Sequence, residues 1–185
     1  MITEEYRLVR SKRKTIGLEI RDGRLTVRAP YGTTEAMIRK VLEERENWIR
    51  KCLTDSREQQ SRAAENKLTA EEIRELAERA RRVIPERVRY YAPLVGVTYG
   101  RITIRNQRGR WGSCSSKGNL NFNCLLMLTP PEVLDSVVVH ELCHRKEMNH
   151  SERFYAEVLR VYPEYRKWQT WLKKNGPEII ARMRE

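Results

Sequence analysis

Alternating apolar and polar residues predict a β-hairpin over residues 15–29. Asp22 and Gly23 form a two-residue turn signal at its centre, and the alternation continues on both sides of them. In that register Leu18 lies opposite Val27, so the two strands share one apolar face. The hairpin can therefore cover part of a hydrophobic core.

A helix is predicted after the hairpin, because Thr33 or Thr34 can cap it and its apolar residues keep a helical spacing as far as Leu53. The stretch 54–67 is polar and nearly without large apolar side chains. This composition favours a linker, although a solvated continuation of the helix would have the same composition. A linker at this point predicts a domain boundary after residue 66.

We thus expect two domains, with the hairpin and the helix in residues 1–66 and a larger domain in residues 67–185. The second domain begins with a capping box, in which the side chains of Thr69 and Glu72 each accept from the backbone N–H of the other. We expect the helix that this box starts to be kinked or broken at Pro85.

Two strands are predicted next, over residues 97–105 and 119–128, on either side of a loop rich in glycine, serine and arginine. The second strand has apolar residues at every other position from Leu120 onward, which indicates one buried face. Opposite that face it presents three asparagines: Asn119, Asn121 and Asn123.

The last third of the chain is predicted to be helical. Thr129 begins a capping box followed by prolines, Ser151 can cap a second helix, and Pro163 opens a third that should stop at Gly176-Pro177. The expected fold class is α+β, with a small, mostly antiparallel sheet and segregated helices.

His140 and His144 lie in the segment His-Glu-Leu-Cys-His, inside the first of these helices. Residues four apart on a helix lie one turn above each other on one face, so the two imidazoles can share a metal ion. Glu141 is not aligned with them and can instead take a proton from a water that the metal activates. Catalytic zinc sites use three protein ligands and a water, which leaves one ligand to be found.

His150 is the third candidate ligand, because the chain contains only three histidines. A turn over residues 147–149 can bring it back to the metal. Its spacing from His140 equals that of the metzincin signature, but that signature has a glycine in the turn and this chain has a glutamate. The sequence predicts one Zn²⁺ held by His140, His144 and His150, with Glu141 as general base.

A chance match on an amphipathic helix is the alternative to a metal site, since Val133 and Val137 continue the line of His140 and His144. Against this alternative, every histidine of the chain falls within one short window at ligand spacing. A structural zinc would need a fourth protein ligand, and Cys143 points around the helix. We therefore interpret Cys143 as a packed thiol.

Basic residues concentrate in two segments, 7–28 and 78–110, of a chain whose formal net charge is +12. The first segment carries eight arginines or lysines against two acids, and the second carries nine arginines against two acids. This distribution suggests an anionic partner, with nucleic acid as the first candidate, although an arginine-rich solvated surface would have the same composition.

The sequence contains no apolar run near the roughly 20 residues that a membrane-spanning helix needs. The first residues lack the basic-then-apolar layout of a signal peptide, and the four cysteines include no C-x-x-C pair. We therefore expect a cytoplasmic protein with reduced thiols and no membrane partner.

Several blocks of the sequence together resemble the YgjP-like family of zinc metallopeptidases. These blocks are residues 110–115 (RWGSCS), residues 140–144 (HELCH), residues 149–151 (NHS), Phe154 and Tyr155. The resemblance spans roughly residues 12–175 and extends more distantly to SprT-like and minigluzincin peptidases. It implies a zincin-type active-site helix, the same three histidine ligands and Glu141 as general base. It also implies a compact catalytic core in which the strand before that helix runs along the cleft.

Residues around these motifs have alternative interpretations. A peptide substrate could add to strand 119–128 by backbone hydrogen bonds, or the strand could be an ordinary half-buried one. In the loop 110–115, Trp111 could pack under the site, Gly112 could allow a tight turn and Arg110 could bind a carboxylate or an oxyanion, and a structural role of this loop is favoured over a catalytic one. Tyr155 could donate to a tetrahedral intermediate, but packing in the core beside Phe154 is favoured. The aromatic series that starts at Tyr165 has helical spacing and predicts core.

We therefore predict a zinc-dependent peptidase that acts on a peptide or protein substrate. Two alternatives stay open. The first is a nucleic-acid-associated, SprT-like protease that the basic segments recruit to DNA. The second is a non-catalytic metal-binding module that serves as an interaction surface.

Overall fold

The computed structural model describes residues 5–21 and 23–183, apart from the side chains of residues 59, 60, 63 and 64. Within these residues the chain forms two three-stranded sheets and six α-helices. Its contacts divide it into two compact units, residues 1–65 and residues 66–185. The division into two domains stays a prediction, because a compact unit need not fold on its own.

The first unit contains a mixed sheet. Its strands are β1 (Tyr6–Ser11), β2 (Gly17–Arg21) and β3 (Arg24–Pro30). The central strand, β3, pairs parallel with β1 and antiparallel with β2. Leu18 pairs with Val27, which confirms the register predicted for the hairpin. The predicted turn residue Asp22 lies outside the described residues, while Gly23 has a φ of 67°, which favours glycine.

Two helices complete this unit: α1 (Glu35–Glu44) and α2 (Glu46–Glu65). Thr34 caps α1, as predicted, by accepting from the backbone N–H of Met37. The stretch 54–67 is helical as far as Glu65, so the linker interpretation is wrong and the alternative of a solvated helix is confirmed. Alanine, glutamate, glutamine and arginine, all good helix formers, dominate this part of α2, which explains a helix without an apolar stripe.

Helix α3 (Ala70–Val95) begins the second unit at the predicted capping box. Thr69 accepts from the N–H of Glu72 at 3.2 Å, and the Glu72 carboxylate accepts from the N–H of Thr69 at 2.7 Å. The helix continues through Pro85 and Pro93, so it is not broken at Pro85, and the alternative of a kink there stays a prediction. A proline removes one backbone hydrogen bond, and here the burial of a long apolar face outweighs that loss.

The sheet of the second unit is also mixed. Its strands are β4 (Ile102–Arg105), β5 (Gly112–Cys114) and β6 (Leu120–Asn123). The central strand is β6, which pairs parallel with β4 and antiparallel with β5. The α+β class is confirmed, although each sheet has one parallel and one antiparallel pair rather than mostly antiparallel ones.

The predicted strand 119–128 is wrong in its second half, where a 3-10 helix (Cys124–Leu128) follows β6. Asn123 causes this change. It is fully buried, and its side-chain oxygen caps the 3-10 helix by accepting from the N–H of Leu125 at 3.1 Å. Its amide group donates to the carbonyls of Gln107 and Arg110. Asn123 is therefore a core residue and does not share an outer face with the other asparagines.

Three helices end the chain: α4 (Pro131–Cys143), α5 (Glu152–Val161) and α6 (Tyr165–Ala181). Ser151 caps α5 as predicted, but α4 begins after Pro130, and the predicted cap Thr129 instead donates its hydroxyl to the carbonyl of Leu126. Helix α6 runs through Gly176-Pro177, so the predicted stop is wrong. A side chain at Gly176 would lie 3.1 Å from the Trp111 ring, which explains a glycine inside this helix.

Helix α4 is the centre of the second unit. Its residues 133–139 are all buried, among them the carboxylate of Asp135. Arg87 on α3 donates from Nε and Nη2 to the two oxygens of that carboxylate at 2.7 and 2.6 Å, and Tyr91 donates to it at 3.1 Å. This bidentate pair fixes α4 against α3.

No helix within residues 5–21 and 23–183 combines the length and the apolarity that crossing a bilayer requires. The four cysteines, Cys52, Cys114, Cys124 and Cys143, carry free thiols.

We expect Asp135→Asn to lower the free energy of unfolding by about 2 kcal/mol, because a charged hydrogen-bond acceptor is lost while Arg87 keeps its charge. Urea denaturation followed by tryptophan fluorescence measures this loss. Glu71→Gln is the matched control, since Glu71 pairs with Arg74 on the exposed side of α3 and should change stability by less than about 0.5 kcal/mol. Equal effects of the two substitutions would contradict the role of Asp135.

Candidate metal centre

The structure brings the three predicted histidines together. Helical spacing aligns His140 with His144, which follows the last residue of α4. The chain then turns, with the N–H of Glu147 donating to the carbonyl of Cys143, and returns His150 to the same point. The Nε2 atom of His140 lies 3.2 Å from that of His144 and 3.1 Å from that of His150. One ligand atom from each histidine lies within 4.8 Å of the others.

These distances suit a tetrahedral ion. Two nitrogens that each lie about 2.0–2.1 Å from such an ion are about 3.3–3.4 Å apart, close to the observed separations. Burial, and then the neighbouring charges of His144 and His150, lower the pKa of His140 to about 3. His140 is therefore a neutral imidazole at physiological pH, which is the form that binds metal.

Hydrogen bonds at the opposite ring nitrogens orient two of the histidines. His144 Nδ1 lies 3.0 Å from the carbonyl oxygen of Glu147. A carbonyl can only accept, so Nδ1 carries the proton and Nε2 presents its lone pair to the cluster. His140 Nδ1 lies 2.8 Å from the hydroxyl of Tyr165. Glu147, in the turn, thus contributes its backbone carbonyl to His144, and a glycine at the same position would provide the same group.

Phe154 supports all three imidazoles. Its ring centroid lies 4.9 Å from that of His140, 4.6 Å from that of His144 and 4.9 Å from that of His150. The side chain is fully buried, so the histidines rest on a fixed apolar surface. The sequence carries no signal for this particular contact. Tyr155 stacks against His150 at a centroid distance of 6.3 Å.

Glu141 is buried beside the histidine cluster, at 5% exposure. Burial raises the pKa of its carboxyl group to about 8, and the positive charge of Arg110 opposes this rise. A cavity of about 300 Å³ opens next to Glu141 and His140. Its other lining residues include Arg110, Trp111, Val137, Tyr165, Gln169 and Leu172. The cavity therefore joins the candidate base and one candidate ligand to a largely apolar space.

Gly112 lies in β5 directly against Glu141. A Cβ atom at this position would lie 2.6 Å from Glu141 Oε1 and 2.7 Å from its Cγ. The predicted tight turn is therefore wrong. Gly112 is required in a strand because the glutamate side chain occupies the space that a methyl group would need.

The structure does not support the predicted substrate role of strand 119–128. Strand β6 is central in its sheet, so both of its edges are already paired. Asn119 accepts from the N–H of Arg101, and Asn121 donates to the hydroxyl of Ser113. Within the described residues, the strand at the edge of the sheet nearest to Glu141 is β5.

Cys143 is a packed thiol. It is fully buried, and burial raises its pKa to about 12, which disfavours the thiolate that a metal would need. Tyr165 agrees only in part with its predicted role. It is buried, as expected for a core residue, but its hydroxyl contacts a candidate metal ligand.

A helix that carries two histidines and a buried glutamate, joined by a third histidine from the next turn, is the arrangement of a metallopeptidase. A family model described as the YgjP-like metallopeptidase domain matches residues 14–79 and 62–175. The chain belongs to this YgjP-like family, which confirms the resemblance seen in its motifs.

Two solved structures are similar to part of the chain. The metallopeptidase zymogen of Pyrococcus abyssi abylysin is 21% identical, with a TM-score of 0.45 over 50% of this chain and 94% of that one. The metallopeptidase zymogen of Methanocaldococcus jannaschii jannalysin is 20% identical, with a TM-score of 0.45 over 50% of this chain and 95% of that one. A search of curated protein sequences finds no significant match.

We expect Gly112→Ala to lower peptidase kcat/KM by roughly 100-fold, because the added methyl group displaces the Glu141 carboxylate. The metal content should stay unchanged, since the three atoms nearest to the added methyl group all belong to Glu141 and none to a histidine. Gly32→Ala is the control, because a methyl group there meets no atom within 4 Å. Wild-type activity in Gly112→Ala would show that the position of Glu141 is not critical.

Proposed function

We propose that this protein is a zinc-dependent peptidase in which His140, His144 and His150 hold the metal and Glu141 acts as general base. The convergence of three imidazole nitrogens beside a buried carboxylate is the observation that carries the proposal. Three neutral nitrogen ligands suit zinc best among abundant divalent ions.

When bound, zinc would polarise the scissile carbonyl group and lower the pKa of a water molecule. The residues of the chain supply the remaining parts of the reaction. Glu141 lines the cavity that would receive the substrate. The positive charge of bound zinc would oppose the burial that raises the pKa of Glu141, so the side chain can be a carboxylate that takes a proton from the attacking water and delivers it to the leaving amine. Gly112 keeps that carboxylate in place.

The peptide substrate would bind along β5. Within the described residues this strand pairs with β6 on one side only, and its Gly112 contacts Glu141. An extended peptide can add to such an edge through backbone hydrogen bonds, and pockets for alternate side chains then give specificity. The cavity beside Glu141 would receive a side chain next to the scissile bond.

Recruitment to nucleic acid through segments 7–28 and 78–110 stays a prediction, as does a cytoplasmic location. In the second segment Arg87 and Arg81 form ion pairs with Asp135 and Glu78, so not every arginine there is available to an anionic partner. DNA binding whose affinity falls steeply as salt rises would support recruitment, and salt-independent or undetectable binding would exclude it.

We expect Glu141→Gln to lower kcat about 10²- to 10⁴-fold while one zinc per chain is retained, because the general base is lost and the ligands are not. Hydrolysis of casein or of a fluorogenic peptide, with elemental analysis of the same sample, measures both quantities. Glu132→Gln is the matched control, since Glu132 is an exposed acid in the first turn of the same helix. A metal-binding module without catalysis would keep its function in Glu141→Gln.

We expect His150→Ala to lower the zinc content, because one of three ligands is removed. Asn149→Ala, at the neighbouring exposed position, should keep it. Wild-type protein that contains no zinc, or zinc content unaffected by the loss of His150, would overturn the three-histidine site. Zinc without hydrolysis of any peptide would leave the site standing and exclude general peptidase activity.

A further inference from the structure

The hydroxyl group of Tyr165 connects two side chains at the candidate metal centre. Its Oη atom lies 2.8 Å from His140 Nδ1, and Gln169 Nε2 donates to it at 2.7 Å. Tyr165 and Gln169 lie one turn apart on α6, so the helix fixes their relative position. Tyr165 is only 3% exposed, which keeps competing water away from the hydroxyl group.

A tyrosine hydroxyl can donate or accept, and the two directions give His140 opposite tautomers. If Tyr165 donated to Nδ1, the ring proton would lie on Nε2, which could then not bind a metal. If Tyr165 accepts, Nδ1 carries the proton and Nε2 presents its lone pair toward His144 and His150. Metal binding at Nε2 therefore requires the hydroxyl oxygen to be the acceptor.

We propose that Tyr165, held by Gln169, is a positioning residue that fixes the tautomer and the ring orientation of His140 for zinc, an inference that rests on the proposed function. Metal-binding histidines usually donate this second N–H to a carboxylate, a backbone carbonyl or water. His144 follows that pattern with the carbonyl of Glu147, while His140 uses a neutral phenol.

The two acceptor positions of the Tyr165 hydroxyl are then occupied by His140 and Gln169. Tyr165 and Gln169 also both line the cavity beside Glu141. The phenol also lies on an element different from the ligands, since His140 belongs to α4 and Tyr165 to α6. Helix α6 thereby takes part in metal binding without supplying a ligand.

The test is the affinity of purified Tyr165→Phe for Zn²⁺, measured by competition with a chromophoric chelator. Loss of this partner should weaken zinc binding about 10- to 100-fold. Tyr162→Phe is the matched control, because it also removes one phenol hydrogen bond, to the carbonyl of Glu132, without touching a histidine. Its zinc affinity should equal that of the wild type.

Two further measurements separate positioning from a general effect on the fold. The absorption spectrum of the Co²⁺-substituted protein should change in Tyr165→Phe and not in Tyr162→Phe, because the ligand field depends on the orientation of His140. If Tyr165→Phe does not fold, Gln169→Leu replaces it, since that change keeps the phenol but removes the group that holds it, and it should give a smaller loss in the same direction.

Equal zinc affinities and equal Co²⁺ spectra in wild type, Tyr165→Phe and Tyr162→Phe would overturn the positioning role while leaving the zinc peptidase proposal intact. Wild-type protein that binds neither ion would overturn the proposed function itself, and this inference with it.

Discussion

The rest of the structure depends on burying a helix that carries polar and ionisable groups. Helix α4 lies inside the second unit, with Asp135, Ser136 and Glu141 among its buried residues and the buried His144 directly after its end. Burying a polar group without a hydrogen bond costs roughly 2–7 kcal/mol, depending on the reference state. Two neighbouring helices therefore present hydrogen-bond partners to side chains of α4: α3 with Arg87 and Tyr91, and α6 with Tyr165.

The partners of α4 differ along the helix: one set neutralises a buried charge, and the other contacts the candidate metal ligands. Arg87 on α3 neutralises Asp135 in the part of α4 that carries no metal ligand. Tyr165 on α6 and the backbone of Glu147 bind the outer nitrogens of His140 and His144, which leaves their inner nitrogens for a metal. The same hydrogen bonds that make burial tolerable also orient the candidate ligands.

Local sequence signals predicted the elements well where they concern residues close together in the chain. They predicted them poorly where packing between distant parts of the chain decides the structure. The capping box at Thr69 and the caps at Thr34 and Ser151 form as predicted, because a cap involves residues three apart. Pro85 and Gly176-Pro177 are breakers by propensity, yet α3 and α6 continue through them. Burial of the apolar face of α3, and packing of Trp111 against Gly176, outweigh the cost of a few kcal/mol that proline or glycine imposes on a helix.

The sequence by itself determined the candidate ligands and the base, because helical spacing aligns His140 with His144 and the chain has a single further histidine. Only the tertiary structure decided which residues support them. Tyr165 reaches the site from α6, a helix distant along the chain. Gly112 reaches it from β5, a strand that the sequence did not predict. Such contacts depend on how whole elements pack against each other, and no local period along the chain encodes that packing.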